Sequence, residues 1–184
     1  MMLFVLPTLV LLCISLCDVN AVKRCRKVKK EGLADATAQC GVKFHKGVSA
    51  KCGNKLLFGL TGTEPTIKFK LPKRNCKNAT IISTDPDAFD VVGPPFLHEL
   101  ATNIPKKCLQ KGYKSTTCKA GDLQAPFAVP GSPNHRYLFC VYCQNEYIEP
   151  HHYGPLSSYR MRFNKEEYAR NHSLSIKACN FFRL

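Results

Sequence analysis

The chain is short of acid. It carries 13 Asp and Glu against 27 Lys and Arg, a formal net charge of +14. That imbalance excludes an acidic surface and favours anionic partners: nucleic acid, anionic lipid or acidic glycans. Long apolar runs are scarce too. Beyond residues 3–17, LFVLPTLVLLCISLC, nothing approaches membrane-spanning length. No internal repeat and no long low-complexity segment is present, which excludes solenoids and disordered tracts. No basic amphipathic helix of useful length supports membrane insertion. The single C-x-x-C, Cys140 and Cys143, has no second pair to complete a four-thiolate zinc site, so neither metal nor cofactor is expected.

What is present begins with that apolar run. It is followed by DVNA, where Val19 and Ala21 fit the small-residue pattern of a signal-peptidase site, although no Lys or Arg precedes the apolar core. Residues 1–21 read as a signal peptide and 22–184 as one secreted, cysteine-rich domain, localised outside the cell. Removing Asp18 with the signal raises the charge from +14 to about +15. Of 11 cysteines, Cys13 and Cys17 leave with the signal. Cys25, Cys40, Cys52, Cys76, Cys108, Cys118, Cys140, Cys143 and Cys179 remain, and in a secreted chain they read as disulfides. Nine is odd, so at most four bridges form and one thiol is left over; spacing leaves the pairing open. Sequons at Asn78 and Asn171 make the chain a candidate glycoprotein.

The residue patterns predict an α+β fold: a short N-terminal helix within 22–39, a central antiparallel sheet, long loops and disulfides holding them. TIKFKL at 66–71 alternates with period two, placing Ile67, Phe69 and Leu71 inward. NATIIS is a second strand candidate and RYLFCVYC the most convincing one. Residues 84–107, rich in Pro, Asp and Gly, read as a loop with one helical turn at PFLHELAT. SYRMRF and SLSIKAC read as strands, and NKEEYAR as a helical turn capped by Asn164.

Within the stretch HRYLFCVYCQNEYIEPHH (135–152), strand parity turns Cys140 and Cys143 to opposite faces, each toward a separate bridge. Arg136 has the planar fork that grips phosphate. His151 and His152 titrate near neutrality and can act as general acids. His45, His98 and Glu99 raise the same question. RNA cleavage without metal needs a base, an acid and a cation, and His45, Glu99, Arg136 and the His151/His152 pair supply those types.

PGSPNHRYLF, followed fifteen or sixteen residues later by a histidine, resembles the C-terminal half of the microbial guanyl-specific ribonucleases and ribotoxins. The resemblance gives Arg136 the phosphate role and His151 or His152 the acid role. LQAPFAV resembles the strand that carries the family's catalytic glutamate, but Gln124 and Ala125 stand there. Secreted RNase-like effectors of plant-pathogenic fungi keep that fold and usually lack the catalytic set. By that likeness Cys25 and Cys179 would clasp the two ends of the domain. The expectation is thus a non-catalytic virulence effector acting on a host protein or RNA. An active endoribonuclease and a cationic glycan- or membrane-binding protein are the alternatives.

Overall fold

The computed structural model describes residues 40–72, 75–88, 95–154 and 158–184. Eight strands organise them: β1 Gly41–Lys43, β2 Asn54–Lys55, β3 Thr66–Lys68, β4 Asn78–Asp85, β5 Phe96–Pro105, β6 Asp122–Ala125, β7 Arg136–Gln144 and β8 Ser175–Arg183. Six form a sheet in the order β2-β8-β7-β4-β5-β6, while β1 and β3 pair separately. The large sheet is mixed, because β2 runs parallel to β8 and the other pairings are antiparallel. The helices are short: α1 Lys106–Lys111 and α2 Lys165–Asn171.

Both faces of the sheet are covered. On β7, Tyr137, Phe139 and Val141 enter one core with Val42, Phe44, Ile67, Leu109 and Phe182. Leu138, Cys140 and Tyr142 enter the other with Ile82, Leu97, Leu100, Phe163 and Phe181. That is the period-two alternation of a strand buried on both sides, which reads in sequence as a continuous apolar run.

The expected α+β, RNase-like architecture is therefore corrected to a mostly β fold. The N-terminal helix was expected at residues that lie outside those described. The largest local correction is β5, a ten-residue strand where a loop with a helical turn was expected. Its residues Leu97, Leu100, Ala101 and Ile104 are all fully buried and spaced like a helix face. Bulges cause this. The β4 pairing steps from Ser83↔Glu99 to Thr84↔Leu97, leaving His98 as an extra residue, and the β6 pairing shifts between Leu100 and Ala101. SYRMRF is likewise no strand: Ser158–Arg160 is a 3-10 turn. NKEEYAR does form α2, with Asn164 Oδ1 accepting from the Glu167 N–H at 3.0 Å.

Disulfides join Cys76 to Cys143, Cys108 to Cys118 and Cys140 to Cys179. Cys52 is disulfide-bonded as well. Cys140 and Cys143 serve separate bridges, in opposite cores. The Cys25–Cys179 clasp gives way to Cys140–Cys179, because those two residues lie directly opposite on β7 and β8 with Cα atoms 4.2 Å apart; Cys25 is outside the described residues. Cys40 is a buried free thiol, and burial pushes its pKa up to about 12. Asn78 opens β4 half-buried and Asn171 ends α2 exposed. Among the described residues no helix is long and apolar enough to cross a membrane.

Candidate ligand site at the ends of β4, β5 and β7

Three neighbouring strands end together: β4 at Asp85, β5 at Phe96 and β7 at Arg136. The chain leaves β4 through Asp85-Pro86-Asp87. Asp85 is only 3% exposed. Its Oδ1 accepts from the Asp87 N–H at 2.8 Å, an Asx-type turn that Pro86 favours. Its Oδ2 lies 2.8 Å from His135 Nδ1.

The second acid of the turn holds the next residue. Asp87 Oδ2 accepts from the Arg136 backbone N–H at 2.9 Å and from Nε at 2.7 Å, and its Oδ1 accepts from Nη2 at 2.6 Å. Burial works to raise the Asp87 pKa, but hydrogen bonds and charge from Arg136 outweigh it and hold the carboxyl below its ordinary range. One turn thus fixes His135 and Arg136 with its two carboxylates.

The bulge in β5 supplies the third group. His98 Nδ1 lies 2.7 Å from the Ala128 carbonyl, which only accepts, so Nδ1 carries the proton. The ring sits edge-on to Phe96 and Tyr137, with centroids 5.0 and 5.2 Å away. Burial holds the His98 pKa below its ordinary value, against the opposing pull of the Ala128 carbonyl and Asp85. Tyr137 is pinned in turn: its hydroxyl donates to Ser132 O and accepts from Ser132 N, both at 2.9 Å.

Arg160 braces the arrangement from outside. It is 1% exposed and donates to the carbonyls of Leu97, His98, Pro126 and Gly154 at 2.8–3.2 Å. A buried cation solvated by carbonyls fixes the start of β5 against the exit of β6.

Among the described residues, each imidazole commits only Nδ1 to a protein partner. Their Nε2 atoms accept while a ring is neutral and donate to an anionic group once it is protonated, and the buried Asp85 carboxylate beside them accepts from a cationic one. No cluster of three or more metal-ligating side chains occurs among the described residues.

The residues picked from sequence fare unevenly. Arg136 is at the site, with Asp87 as partner. Glu99 is next to His98 in sequence yet fully buried, and neither of its oxygens has a hydrogen bond. Burial, then the charge of Glu64, pushes its pKa up to about 8. His45 is exposed in a separate 3-10 turn, His45–Gly47. His151 and His152 are exposed in the loop after β7, where His151 packs on Tyr153 and Tyr159. Gln124, at the place of the expected glutamate, is buried and donates to Thr102 Oγ1 at 2.8 Å. Asp85, Asp87, His135 and Tyr137 were missed. The available signals were the D-P-D turn and the H-R step into β7, two short polar motifs that only the sheet brings together.

The frame of the site is thus a β-sheet buried on both faces, with carboxylates and imidazoles gathered at one set of strand ends. Residues 37–178 match the family model for phosphatidylethanolamine-binding protein, and the chain belongs to that family. Solved structures share the fold. A phosphatidylethanolamine-binding protein from Plasmodium vivax is 20% identical with a TM-score of 0.67, over 86% of this chain and 95% of that one. A carboxypeptidase Y inhibitor, complexed with its cognate proteinase, is 18% identical with a TM-score of 0.66, over 90% and 93%. The phosphatidylethanolamine-binding protein of Plasmodium falciparum is 19% identical with a TM-score of 0.63, over 90% and 95%.

These findings overturn the resemblance to ribonucleases and fungal effectors, and with it the virulence-effector, endoribonuclease and cationic-binder readings. The short motif PGSPNHRYLF that carried the resemblance is instead the loop and strand start that place His135, Arg136 and Tyr137 in this site. Arg136 is engaged by Asp87 rather than offered to a scissile phosphate.

Proposed function

We propose that the chain binds a phospholipid headgroup of the phosphatidylethanolamine type at Asp85, His98, His135 and Tyr137. The observation that carries this reading is the gathering of two imidazoles, each with its Nε2 uncommitted, and the buried Asp85 carboxylate at one sheet end. Phosphodiester oxygens accept from an imidazole protonated at Nε2, and the headgroup ammonium donates to a carboxylate. Burial keeps His98 neutral near pH 7, so affinity rises as pH falls below its ordinary value and the ring gains a proton. Titration calorimetry with monomeric dihexanoyl phosphatidylethanolamine tests it. Asp85→Asn combined with His98→Ala weakens binding at least tenfold; equal affinity in the folded variant removes the reading.

The protein is proposed to act outside the cell. Support comes from three described bridges and the oxidised Cys52, which suit an oxidising compartment. Expression in secreting cells should deliver it to the medium, and retention inside them counts against secretion.

A protein partner is the second reading. It is supported by the shared fold of the proteinase inhibitor and by the +14 charge, which favours an acidic partner. Unchanged carboxypeptidase hydrolysis in the presence of excess chain would count against an inhibitor of that type.

A further inference from the structure

We propose that the cleft between the 3-10 turns His45–Gly47 and Phe58–Leu60 binds a small tetrahedral oxyanion: phosphate, free or as a monoester.

Two held turns make the walls, and neither gives a residue to the headgroup site. The first is a hairpin tip. Ala50 N–H donates to Val42 O at 3.0 Å and Phe44 N–H to Val48 O at 2.7 Å, which carries His45, Lys46 and Gly47 outward. The second turn runs on into the loop at Gly62 and Thr63. Leu60 N–H donates to Leu57 O, and Thr61 Oγ1 donates to Phe58 O, both at 3.0 Å. Between the walls lies a cavity of about 250 Å³, lined by His45, Lys46, Gly59, Leu60, Gly62 and Thr63. Pockets for drug-sized ligands run to roughly 300–1,000 Å³, so this one suits a smaller group.

The lining is rich in donors. Lys46 brings an ammonium, His45 an imidazole and Thr63 a hydroxyl. Among the described residues neither His45 nor Lys46 has a protein partner. No carboxylate lines the cavity. Glu64, next in the chain, is spent on Ser115, accepting from its N–H at 2.5 Å and its hydroxyl at 2.9 Å. No atom stands within 4 Å of where a Cβ on Gly59 or Gly62 would be, so an anion can approach the backbone there. The Gly62 and Thr63 N–H groups have no backbone acceptor among the described residues. Donors therefore come from both walls, which matches an anion carrying acceptor oxygens on every side. Lys46 also holds φ 56°, the left-handed region that suits glycine. Lys46→Gly removes the charge and relieves the backbone together, so the variant folds.

The test follows the amide NMR signals of the protein during titration with sodium phosphate at neutral pH and constant ionic strength. Acetate and glycerol 3-phosphate form parallel arms. The Gly59, Gly62 and Thr63 signals should shift and saturate with phosphate. Lys46→Gly should weaken that binding about tenfold, the loss of one charge-assisted hydrogen bond. Gly62→Val fills the cleft without changing charge and should weaken it as much. Lys119→Gln, at an exposed lysine elsewhere, should leave it unchanged. Tighter binding of glycerol 3-phosphate than of phosphate supports a monoester, and the reverse supports the free ion. Shifts that grow without saturating, an equal loss in Lys119→Gln, or acetate bound as tightly as phosphate overturn the proposal. Loop shifts abolished by Asp85→Asn/His98→Ala would return the anion to the headgroup site and overturn it too.

Discussion

At one end of β4, β5 and β7 the buried polar groups are carboxylates, imidazoles and a guanidinium; at the other end they are mainly amides. There, Gln144 Oε1 accepts from Thr80 Oγ1 and from the Asn103 N–H, both at 2.8 Å. Gln144 Nε2 donates to Asn103 Oδ1 and to Glu146 O. Asn103 Nδ2 donates to Asp122 Oδ2 at 2.6 Å and Ile148 O at 2.8 Å, and its Oδ1 also accepts from the Ile148 N–H. Both amide groups spend their hydrogen-bonding capacity on protein, so the network specifies shape. The site end leaves two imidazole nitrogens over. The difference separates a part of the sheet built to be finished from one built to be completed by a ligand.

Glu99 offers the sharpest way to break this comparison, as a titratable group one residue inside the site end with no hydrogen bond at all. Its folded pKa of about 8 lies above the ordinary 4.5, so the folded state holds the proton more tightly. Its contribution is fully present below pH 4.5 and is lost as pH rises through 8. Urea midpoints should show Glu99→Gln gaining on wild type from pH 5 to pH 9, on the order of 2–4 kcal/mol. Parallel profiles for the two proteins would refute a buried, unpartnered carboxyl.

The closed network comes next. Gln144→Ala strands Asn103 and Thr80 and should cost about 3 kcal/mol. That lowers Tm by roughly 5–15 °C while leaving lipid binding intact. Asp87→Asn, at the open end, weakens the grip on Arg136 and costs about 1 kcal/mol at pH 7. Because the Asp87 pKa is lowered, its contribution is present above the ordinary 3.8 and fades as pH falls below it, so the two unfolding curves should converge in acid. His135→Ala should shift stability by less than about 1 kcal/mol and weaken headgroup binding about tenfold, as read by calorimetry. The smallest expected signal is at Cys40: iodoacetamide should leave it unlabelled in the native protein and modify it only after unfolding, as checked by peptide mapping.

Legibility in the sequence followed how local each signal was. β7 and β8 could be read because strand-forming residues run through them without interruption. The separate bridges of Cys140 and Cys143 follow from strand parity, a local rule. β5 was hidden by its bulges, which convert a period of two into an apparent helix face and disguise a central strand as loop. Those same irregularities aim His98 into the site. The D-P-D turn and His135 lie fifty residues apart, and only the pairing of β4 with β7 makes them one feature. Arg136 and a distant histidine, by contrast, formed a pattern that matched the wrong family because a short interval between residue types says little about which side chains meet.

The position of β8 has a consequence for biogenesis. The strand Ser175–Arg183, made after β7, is inserted between β7 and the early β2 rather than added at an edge. Until it emerges, β7 is an unpaired, apolar edge and β2 has no sheet to join. Cys140 also lacks its partner until Cys179 arrives. A chain cut before β8 therefore exposes a sticky strand and an unspent thiol together. Synthesis of β8 becomes a quality check on the whole sheet.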